Sequence, residues 1–341
     1  IIPEILVMSK VAWDRLSPAD QATVQAAVNQ VSSGGAVEIQ NSGRYVEPGL
    51  SITVNAQRRV EIRSVNERRA TIVLTTDFSV PQDLTITGGD DSELILNGLL
   101  IIGGALAVSG RLSKLTLRHC TLVPGLAVDQ AGQPLHLSTP SLRVNTDTDI
   151  TTVVELDRCI SGPLQLADNV NVSVRDSIID GLGVTMTVIT GDTATIERST
   201  ILGATKVKQL DLGSESIFMQ DVIVTRRQLG CVRFSYVPRD SVTPERYRCQ
   251  PDLALKDVTA IPDQDNIRAR LTPSFTALRY GDAAYTQLSN QCAVEIATGA
   301  EDGSEMGAFS LVKQAHRVAN LRASLDEYLR FGLEAGIFFA S

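Results

Sequence analysis

A short stretch of the sequence concentrates side chains that could do acid–base or cation-binding chemistry. Carboxylates bind hard cations such as calcium, and a carboxylate beside a guanidinium can take part in proton transfer. The same residue types, spaced one repeat apart, can instead pair with one another as a ladder of opposite charges. These residues are Asp157, Arg158, Arg175, Asp176 and Asp180.

Two other acidic segments and the three histidines predict no metal site. Asn145–Asp149 begins like a calcium loop, but it lacks the sixth-position glycine and the distal glutamate of an EF-hand, so a solvated turn is the preferred interpretation. Asp302–Glu305 carries two acids and is explained equally well as a turn. His119, His136 and His316 are far apart in sequence, and we interpret all three as structural.

Basic and aromatic side chains occur together in the part of the chain after residue 225. Such a cluster could dock an acidic partner or a glycan. The alternative is that these arginines pack a C-terminal cap onto the rest of the protein. The candidate binding residues are Arg226, Arg227, Arg233, Phe234, Tyr236, Arg246, Tyr247 and Arg248.

The five cysteines have no CxxC spacing, which indicates neither a disulfide framework nor a zinc site. Cys231 and Cys249 bracket the arginine-rich segment and could pair in an oxidising compartment. Cys120 and Cys159 occupy equivalent positions of a repeat. Their separation in sequence predicts a further repeat between them, which puts them beyond disulfide reach.

Composition excludes several classes of protein. The net charge is −8, so there is no basic surface for non-specific nucleic-acid binding. The most apolar run, Leu94–Val108, is interrupted by Asn97 and by glycines and is too short to cross a bilayer. No aromatic residue lies between Phe78 and Phe218, so we expect an aliphatic core of short strands in a soluble protein. The sequence opens with Ile1, which leaves open whether a leader has been removed.

A repeated pattern predicts how these side chains are positioned. Its unit is an apolar–x–apolar strand, two polar residues and a small residue, and it recurs with a drifting period of about twenty residues. Short strands at that period are typical of a parallel β-helix, in which successive coils stack. Leu135–Val144 predicts one more coil in the longest gap. The copies begin at Leu94, Leu115, Val154, Val172 and Ala194, with a looser copy at Leu210 that contains a one-residue slip.

Stacking would align equivalent residues of successive copies about 4.8 Å apart. We expect the small residues to face inward at a tight corner, and the polar residues to pair from coil to coil and so fix the register. The small-residue column consists of Cys120, Cys159, Ser177 and Ser199. The polar columns consist of Arg118, Asp157, Arg175 and Glu197, and of His119, Arg158, Asp176 and Arg198.

Helices are predicted at both ends of the chain. Ser17–Asp20 has the residues of a helix start, and the helix that continues to Val31 is expected to cap the open end of the stack. A final helix is expected from about Val312 to Leu329. The predicted units are residues 1–35 (N-terminal segment and capping helix), 36–225 (parallel β-helix) and 226–341 (C-terminal mixed capping module).

The repeat and its cap resemble the right-handed parallel β-helix superfamily of pectate lyases and phage tailspikes, over about residues 17–225. The resemblance implies an all-β, right-handed solenoid. Several C-terminal strings are similar to uncharacterised bacterial β-helix proteins found near phage-tail-like contractile injection genes. Residues 3–27 separately resemble a segment of TRAP-type solute-binding proteins. The C-terminal strings are Tyr247–Pro251, Leu278–Asp282, Asp302–Gly307 and Gly332–Phe339.

Three functions follow from these patterns. The first is a non-catalytic structural or surface-recognition module without a cofactor, accessory to a phage-tail-like assembly, whose partner is a protein assembly or a cell-surface glycan. The second is a carbohydrate-active enzyme of the pectate-lyase type, in which the resemblance implies calcium held by Asp157, Asp176 and Asp180, with Arg158 or Arg175 as base. The third is a fragment of a solute-binding protein. Location in the bacterial cytoplasm or in an exported assembly stays open.

Overall fold

The computed structural model describes the backbone of residues 4–7 and all of residues 24–183 and 186–329, apart from the side chains of two positions near the C-terminal end. The predicted helix start Ser17–Asp20 and the string Gly332–Phe339 lie outside the described residues, as does most of the TRAP-like segment. Within the described ranges the chain is built mainly of β-strands, with few helices. The all-β class is therefore confirmed.

The strands are short in most places and long in four, β7, β9, β17 and β19. The helices lie near the two ends of the chain, and a 3₁₀ turn spans Ser310–Val312. The strands are β1 (Glu4–Val7), β2 (Gly35–Ile39), β3 (Arg44–Val46), β4 (Ser51–Val54), β5 (Arg59–Ser64), β6 (Ala70–Val73), β7 (Leu84–Asn97), β8 (Leu99–Ile102), β9 (Leu106–Arg118), β10 (Thr121–Leu122), β11 (Leu142–Thr146), β12 (Thr152–Asp157), β13 (Ile160–Ser161), β14 (Leu164–Leu166), β15 (Val170–Arg175), β16 (Ile178–Asp180), β17 (Thr187–Glu197), β18 (Thr200–Leu202), β19 (Ala204–Ser214), β20 (Ile217–Phe218), β21 (Val222–Val224), β22 (Cys231–Arg233) and β23 (Glu245–Tyr247). The helices are α1 (Val24–Gln30), α2 (Asp252–Leu255), α3 (Ile261–Leu271), α4 (Val294–Ala297) and α5 (Gln314–Tyr328), the last close to the predicted final helix.

These strands form two parallel sheets. Among the described residues, 15 strands belong to the large sheet and 8 to the small sheet. Along one edge, β9 pairs with β11 near its start and with β12 near its end, and β17 pairs with β14 and β15 in the same way. Because β11 also pairs with β14, and β12 with β15, these six strands close a ring of parallel pairings. One line of partners across the large sheet runs through Val37, Ile62, Leu96, Leu117, Leu156, Val174, Ile196, Gly213, Val232 and Arg246.

A tight corner follows each copy of the repeated strand. The corner residue has a left-handed backbone, with φ 51° at His119 and 49° at Asp176. Its amide donates to the carbonyl of the neighbouring strand, from His119 to Asp157 at 3.0 Å and from Asp176 to Glu197 at 3.1 Å. A left-handed residue other than glycine costs about 1–2 kcal/mol, which these hydrogen bonds help to offset. The corner residues are Gly98, His119, Arg158, Asp176, Arg198, Glu215, Phe234 and Arg248.

A column of buried small side chains lies directly after the corners. Ser177 Oγ accepts a hydrogen bond from the amide of Cys159 at 2.9 Å, and Ser199 Oγ accepts one from the amide of Ser177 at 3.2 Å. Ser199 Oγ also donates to the carbonyl of Glu197 at 2.8 Å. The predicted inward column is confirmed, and it continues beyond Ser199. Its members are Cys120, Cys159, Ser177, Ser199, Ser216, Ser235 and Cys249.

The one-residue slip predicted in the looser copy is a β-bulge. Ala194 pairs with Leu210 but Thr195 pairs with Leu212, which leaves Asp211 without a partner in the ladder. Because of this extra residue Gly213, and not Leu212, pairs with Ile196 and continues the inward line of partners.

The predicted coil between the second and third copies is wrong. Leu117 pairs directly with Leu156, so β12 is the neighbour of β9. The additional residues, about 123–141, leave the small sheet as a loop, and Leu126 O accepts a hydrogen bond from the amide of Gly103 at 2.7 Å. Because a loop that buries apolar side chains has the same short apolar pattern as a strand, the sequence does not separate the two.

The core enclosed by the two sheets is aliphatic, as expected. Phe218 is the one aromatic side chain in the main cluster of buried residues within the described ranges. α1 adds Val24, Ala27 and Val28 to this core, and its first described amide donates to Glu47 Oε1 at 2.8 Å. A second cluster, which includes Ile217, joins the small sheet to the C-terminal part of the chain. The outer side of the small sheet is therefore covered in that region.

The hydroxyl column predicts a clear difference between two substitutions at one position. Ser199→Ala removes the acceptor of the buried Ser177 amide, so we expect it to lower the free energy of unfolding by about 1–3 kcal/mol. Ser199→Cys is expected to cost less, because cysteine already occupies the column at three positions. Urea denaturation followed by circular dichroism measures both, with the exposed Ser109→Ala as control. Equal stability of Ser199→Ala and wild type would contradict the role of the column.

Candidate functional site

A groove of about 520 Å³ lies on the large sheet where β9, β11 and β14 lie side by side. Register places Ala107 beside Arg143, and Arg143 beside Gln165. Alternation along each strand turns Arg143, Asn145 and Gln165 outward, while the residues between them point into the core. We call this feature the Arg143 groove. Its lining consists of Ala107, Val108, Arg143, Val144, Asn145, Gln165, Leu166 and Ala167.

The Arg143 groove offers hydrogen-bonding groups without an available acid. The Arg143 guanidinium forms an ion pair with Asp83 Oδ2, and Asp83 Oδ1 accepts the amide of Ala105 at 3.1 Å, which fixes the carboxylate. The amides of Asn145 and Gln165 are exposed, and each carries donors and an acceptor. This arrangement can bind a polar ligand, but it brings no second carboxylate or histidine to the groove for proton transfer.

The five residues proposed for acid–base chemistry are divided between two places. Asp157, Arg158, Arg175 and Asp176 lie at the end of the repeated strands and at their corners, and Asp157 is the register partner of Arg175. Arg175 pairs with Glu197 at 2.9 Å. In the next column Arg198 pairs with Asp176 at 2.6 Å. In these two pairs opposite charges of successive copies bind each other, as the alternating columns predict.

The ion pair with Glu197 makes Arg175 a poor candidate for a general base. The hydrogen bond and the charge of Glu197 raise the pKa of the Arg175 guanidinium, as Asp176 does for Arg198. A general base must release its proton near the working pH, which requires a lowered pKa.

Asp180, the fifth of these residues, lies in β16 of the small sheet and is 2% exposed. Its carboxylate accepts the hydroxyl of Tyr285 and the amide of Leu182, the latter at 2.7 Å. Burial raises the pKa of Asp180, and burial together with the Asp180 charge raises that of Tyr285. The contact fastens the segment around Tyr285 to the small sheet.

The segment Asn145–Asp149 forms a turn closed by ion pairs. Arg111 Nη1 lies 2.8 Å from Asp149 Oδ2 and 3.6 Å from Asp147 Oδ2. Asn169 Nδ2 holds the same turn through the carbonyls of Asp147 and Ile150, each at 2.9 Å. The described part of the chain contains no group of three or more His, Cys, Asp or Glu side chains placed to hold a metal ion. In Asp302–Glu305, Asp302 forms an ion pair with Lys313.

The predicted basic–aromatic cluster is brought together only in part. The amide of Phe234 donates to Tyr247 O at 3.1 Å, and the two rings meet edge to face with centroids 5.7 Å apart. The Arg248 guanidinium lies 5.8 Å from the Tyr247 centroid. Tyr247 is 56% exposed. These three residues form one exposed aromatic patch at the last strand of the large sheet.

The other residues of that predicted cluster have structural partners or lie elsewhere. Arg246 donates to Thr243, to Ser241 O and to Asp252, and Arg233 lies 3.4 Å from Glu301. Tyr236 is buried against the small sheet, in the second cluster. Arg226 and Arg227 are exposed in the turn after β21. Arg233 and Arg246 are therefore explained by contacts that hold the C-terminal part of the chain in place.

The Arg143 groove is the site that sequence reasoning missed. Its outward residues belong to strands that precede the repeated unit, and Arg143 follows the loop that was interpreted as part of a coil. The alternation Leu142–Arg143–Val144–Asn145 was the available signal.

All five cysteines are free thiols, Cys231 and Cys249 included. Because β9 and β12 are neighbours, Cys120 and Cys159 lie one strand apart, and the predicted intervening coil does not separate them. Burial raises the pKa of Cys120 and of Cys249 to about 11, and burial also raises that of Cys159. These three thiols are therefore protonated and shielded at neutral pH.

The burial of the thiols predicts their reactivity. In the folded protein we expect dithionitrobenzoate to label Cys231 and Cys292, which are partly exposed, and to label all five cysteines in denaturant. Cys292→Ser should lower the native count from two to one. Rapid labelling of more than two thiols in the folded protein would contradict the packing of the inward column.

Glu305 predicts a pH dependence of stability. It is 6% exposed, and burial raises its pKa from 4.5 to about 7. Between these values the unfolded chain releases the proton while the folded chain retains it, so stability falls as pH rises from about 4.5 to 7. Glu305→Gln removes this loss, which amounts to at most about 3 kcal/mol. We expect the variant to gain melting temperature over wild type at pH 8 relative to pH 5, measured by calorimetry. A gain that is the same at both pH values would contradict the shift.

Comparison of the chain with models of protein families, with curated proteins and with solved structures found no match. Among the described residues, no helix is both long and apolar enough to span a bilayer. Conclusions about function therefore depend on the geometry of the chain itself.

Proposed function

We propose that the chain is a right-handed parallel β-helix that acts as a non-catalytic recognition module and binds a glycan chain in the Arg143 groove. The observation that carries this proposal is the groove itself, with a fixed guanidinium and two exposed amides beside small alanines. An accessory role in a phage-tail-like assembly stays a prediction from the resemblance.

The β-helix is supported by the strand pairing. The pairings between named strands are parallel, and equivalent residues follow one another through nine neighbouring strands of the large sheet, from Val37 to Val232. The small sheet runs beside it from β3 to β20, and the corners connect the two. A chain that alternates between two such sheets is what a solenoid requires.

The contacts of the candidate catalytic side chains favour a binding role over cleavage. Asp176 is held by Arg198 and Asp180 by Tyr285, while Arg175 is held by Glu197. The lyase alternative needs acids and an arginine that converge on one substrate bond. Side chains that already satisfy one another stabilise the register of the strands instead.

A glycan fits the chemistry of the groove. Sugar hydroxyls donate and accept hydrogen bonds, and the side-chain amides of Asn145 and Gln165 match both functions. Ala107 and Ala167 leave space between these polar groups. A groove that crosses several strands also suits an extended chain better than a compact metabolite.

The proposal predicts how substitutions in the groove change glycan binding. On a glycan array followed by calorimetry, Asn145→Ala and Gln165→Ala should each weaken binding about fivefold to tenfold, because each removes hydrogen bonds worth about 1–1.5 kcal/mol. Ala107→Trp should abolish binding by filling the groove. Tyr247→Ala, in the exposed aromatic patch, is the matched control and should leave binding unchanged.

Two outcomes would contradict this proposal. Shortened or unsaturated sugar products in the binding assay would show catalysis. Binding that survives Ala107→Trp but is lost in Tyr247→Ala would move recognition to the aromatic patch at β23.

A further inference from the structure

The charges around the Arg143 groove cancel one another. Arg143 is the one cation of the lining, and Asp83 pairs with it directly. Further along the sheet Lys208 lies 3.4 Å from Asp168 and 3.5 Å from Asp192, so its charge is compensated as well. The groove therefore offers polar groups with no excess of positive charge.

Two lines of register partners continue the groove toward the N-terminal strands, and neither line carries a charged side chain. Register extends the line of Ala107 to Thr85 and Ser51, and the line of Asn145 to Ser109 and Thr87. These residues are exposed or half-buried hydroxyls and one alanine. A ligand that leaves the groove in this direction meets no charged side chain of these two lines.

In the other direction the next exposed cation is Lys206. Because Leu164 pairs with Ile189, Gln165 lies beside Thr190, and Thr190 pairs with Lys206. These two strand steps amount to about 10 Å at the spacing of strands in a sheet. At physiological salt that distance exceeds the screening length of about 8 Å, whereas at 20 mM salt, where the length is about 20 Å, the single charge of Lys206 is outweighed by the net charge of the chain. The whole chain carries a net charge of −8, which repels an anionic polymer.

We infer that the ligand of the Arg143 groove is a linear, electrically neutral polysaccharide and not a carboxylated one. This inference rests on the proposed function and names its ligand class. In this inference Asp83 controls the charge of the groove. By neutralising Arg143 it leaves a guanidinium that can donate hydrogen bonds to hydroxyls but cannot attract a polyanion.

The test uses matched pairs of polysaccharides that differ only in charge. The probes are methyl-esterified and free polygalacturonan, hydroxyethyl- and carboxymethylcellulose, and dextran and carboxymethyl-dextran, each titrated into the full chain at 20 and 300 mM salt. For a pair that binds, we expect the neutral member to bind at least tenfold more tightly at 20 mM salt, with a smaller ratio at 300 mM because salt screens the repulsion.

Asp83→Asn is the critical variant, since it removes the partner of Arg143 and keeps the size of the side chain. It should raise the affinity for the carboxylated members about tenfold at 20 mM salt and lose this gain at 300 mM. Circular dichroism and melting temperature control for folding. Asp192→Asn, which alters the charge outside the groove, is the matched control and should leave the preference unchanged.

The outcomes separate this inference from the proposed function. A carboxylated probe that binds wild type as tightly as its neutral partner, or more tightly, at 20 mM salt overturns the inference, as does an Asp83→Asn variant without any gain. If no probe binds and Ala107→Trp equals wild type on the glycan array, the proposed function itself is overturned.

Discussion

The rest of this structure depends on the hydrogen bonds at the corner after each repeated strand. There a left-handed residue donates its amide to the next strand, and the buried hydroxyl of the residue that follows it accepts a hydrogen bond from an amide of the preceding copy. Both contacts join neighbouring copies at the same height, so a shift of one residue would break them together. The corner therefore sets the register of the whole large sheet, and the ion pairs Arg175–Glu197 and Asp176–Arg198 reinforce it from outside.

Register in turn decides which side chains reach solvent. Side chains of a strand alternate between two faces, so a fixed register at the corner also fixes the outward positions of the strands that precede it. Arg143 and Gln165 become neighbours only because β11 and β14 are held in step. The bulge at Asp211 shows how the chain preserves this order, since it absorbs one extra residue before the next corner at Glu215. The groove is thus a consequence of the same bonds that hold the fold.

Much of the fold could be predicted from the sequence because its repeat is local. Each copy carries its inward residues, its corner and its small residue within a few positions, and Leu156, Val174 and Ile196 pair as that pattern requires. The loop of residues 123–141 could not be identified, because its Leu135 and Leu137 alternate as in a strand although both are exposed, and the strand Leu142–Thr146 follows directly. The groove was missed for a related reason. Its residues are brought together across that loop by pairing, and pairing between distant strands leaves no trace in spacing.

The two sheets divide the work of the molecule. The C-terminal part of the chain packs on the outer side of the small sheet. There Tyr285 covers Asp180, and Met306, the residue after the buried Glu305, packs with Ile217. Of the acids that the sequence offers for chemistry, Asp180 is therefore buried in this contact and Asp176 is paired with Arg198 in a corner column. The Arg143 groove on the large sheet offers two side-chain amides, small alanines and an arginine that is neutralised by Asp83. Such groups can donate hydrogen bonds to hydroxyls and accept them, and the proposed binding role depends on this chemistry.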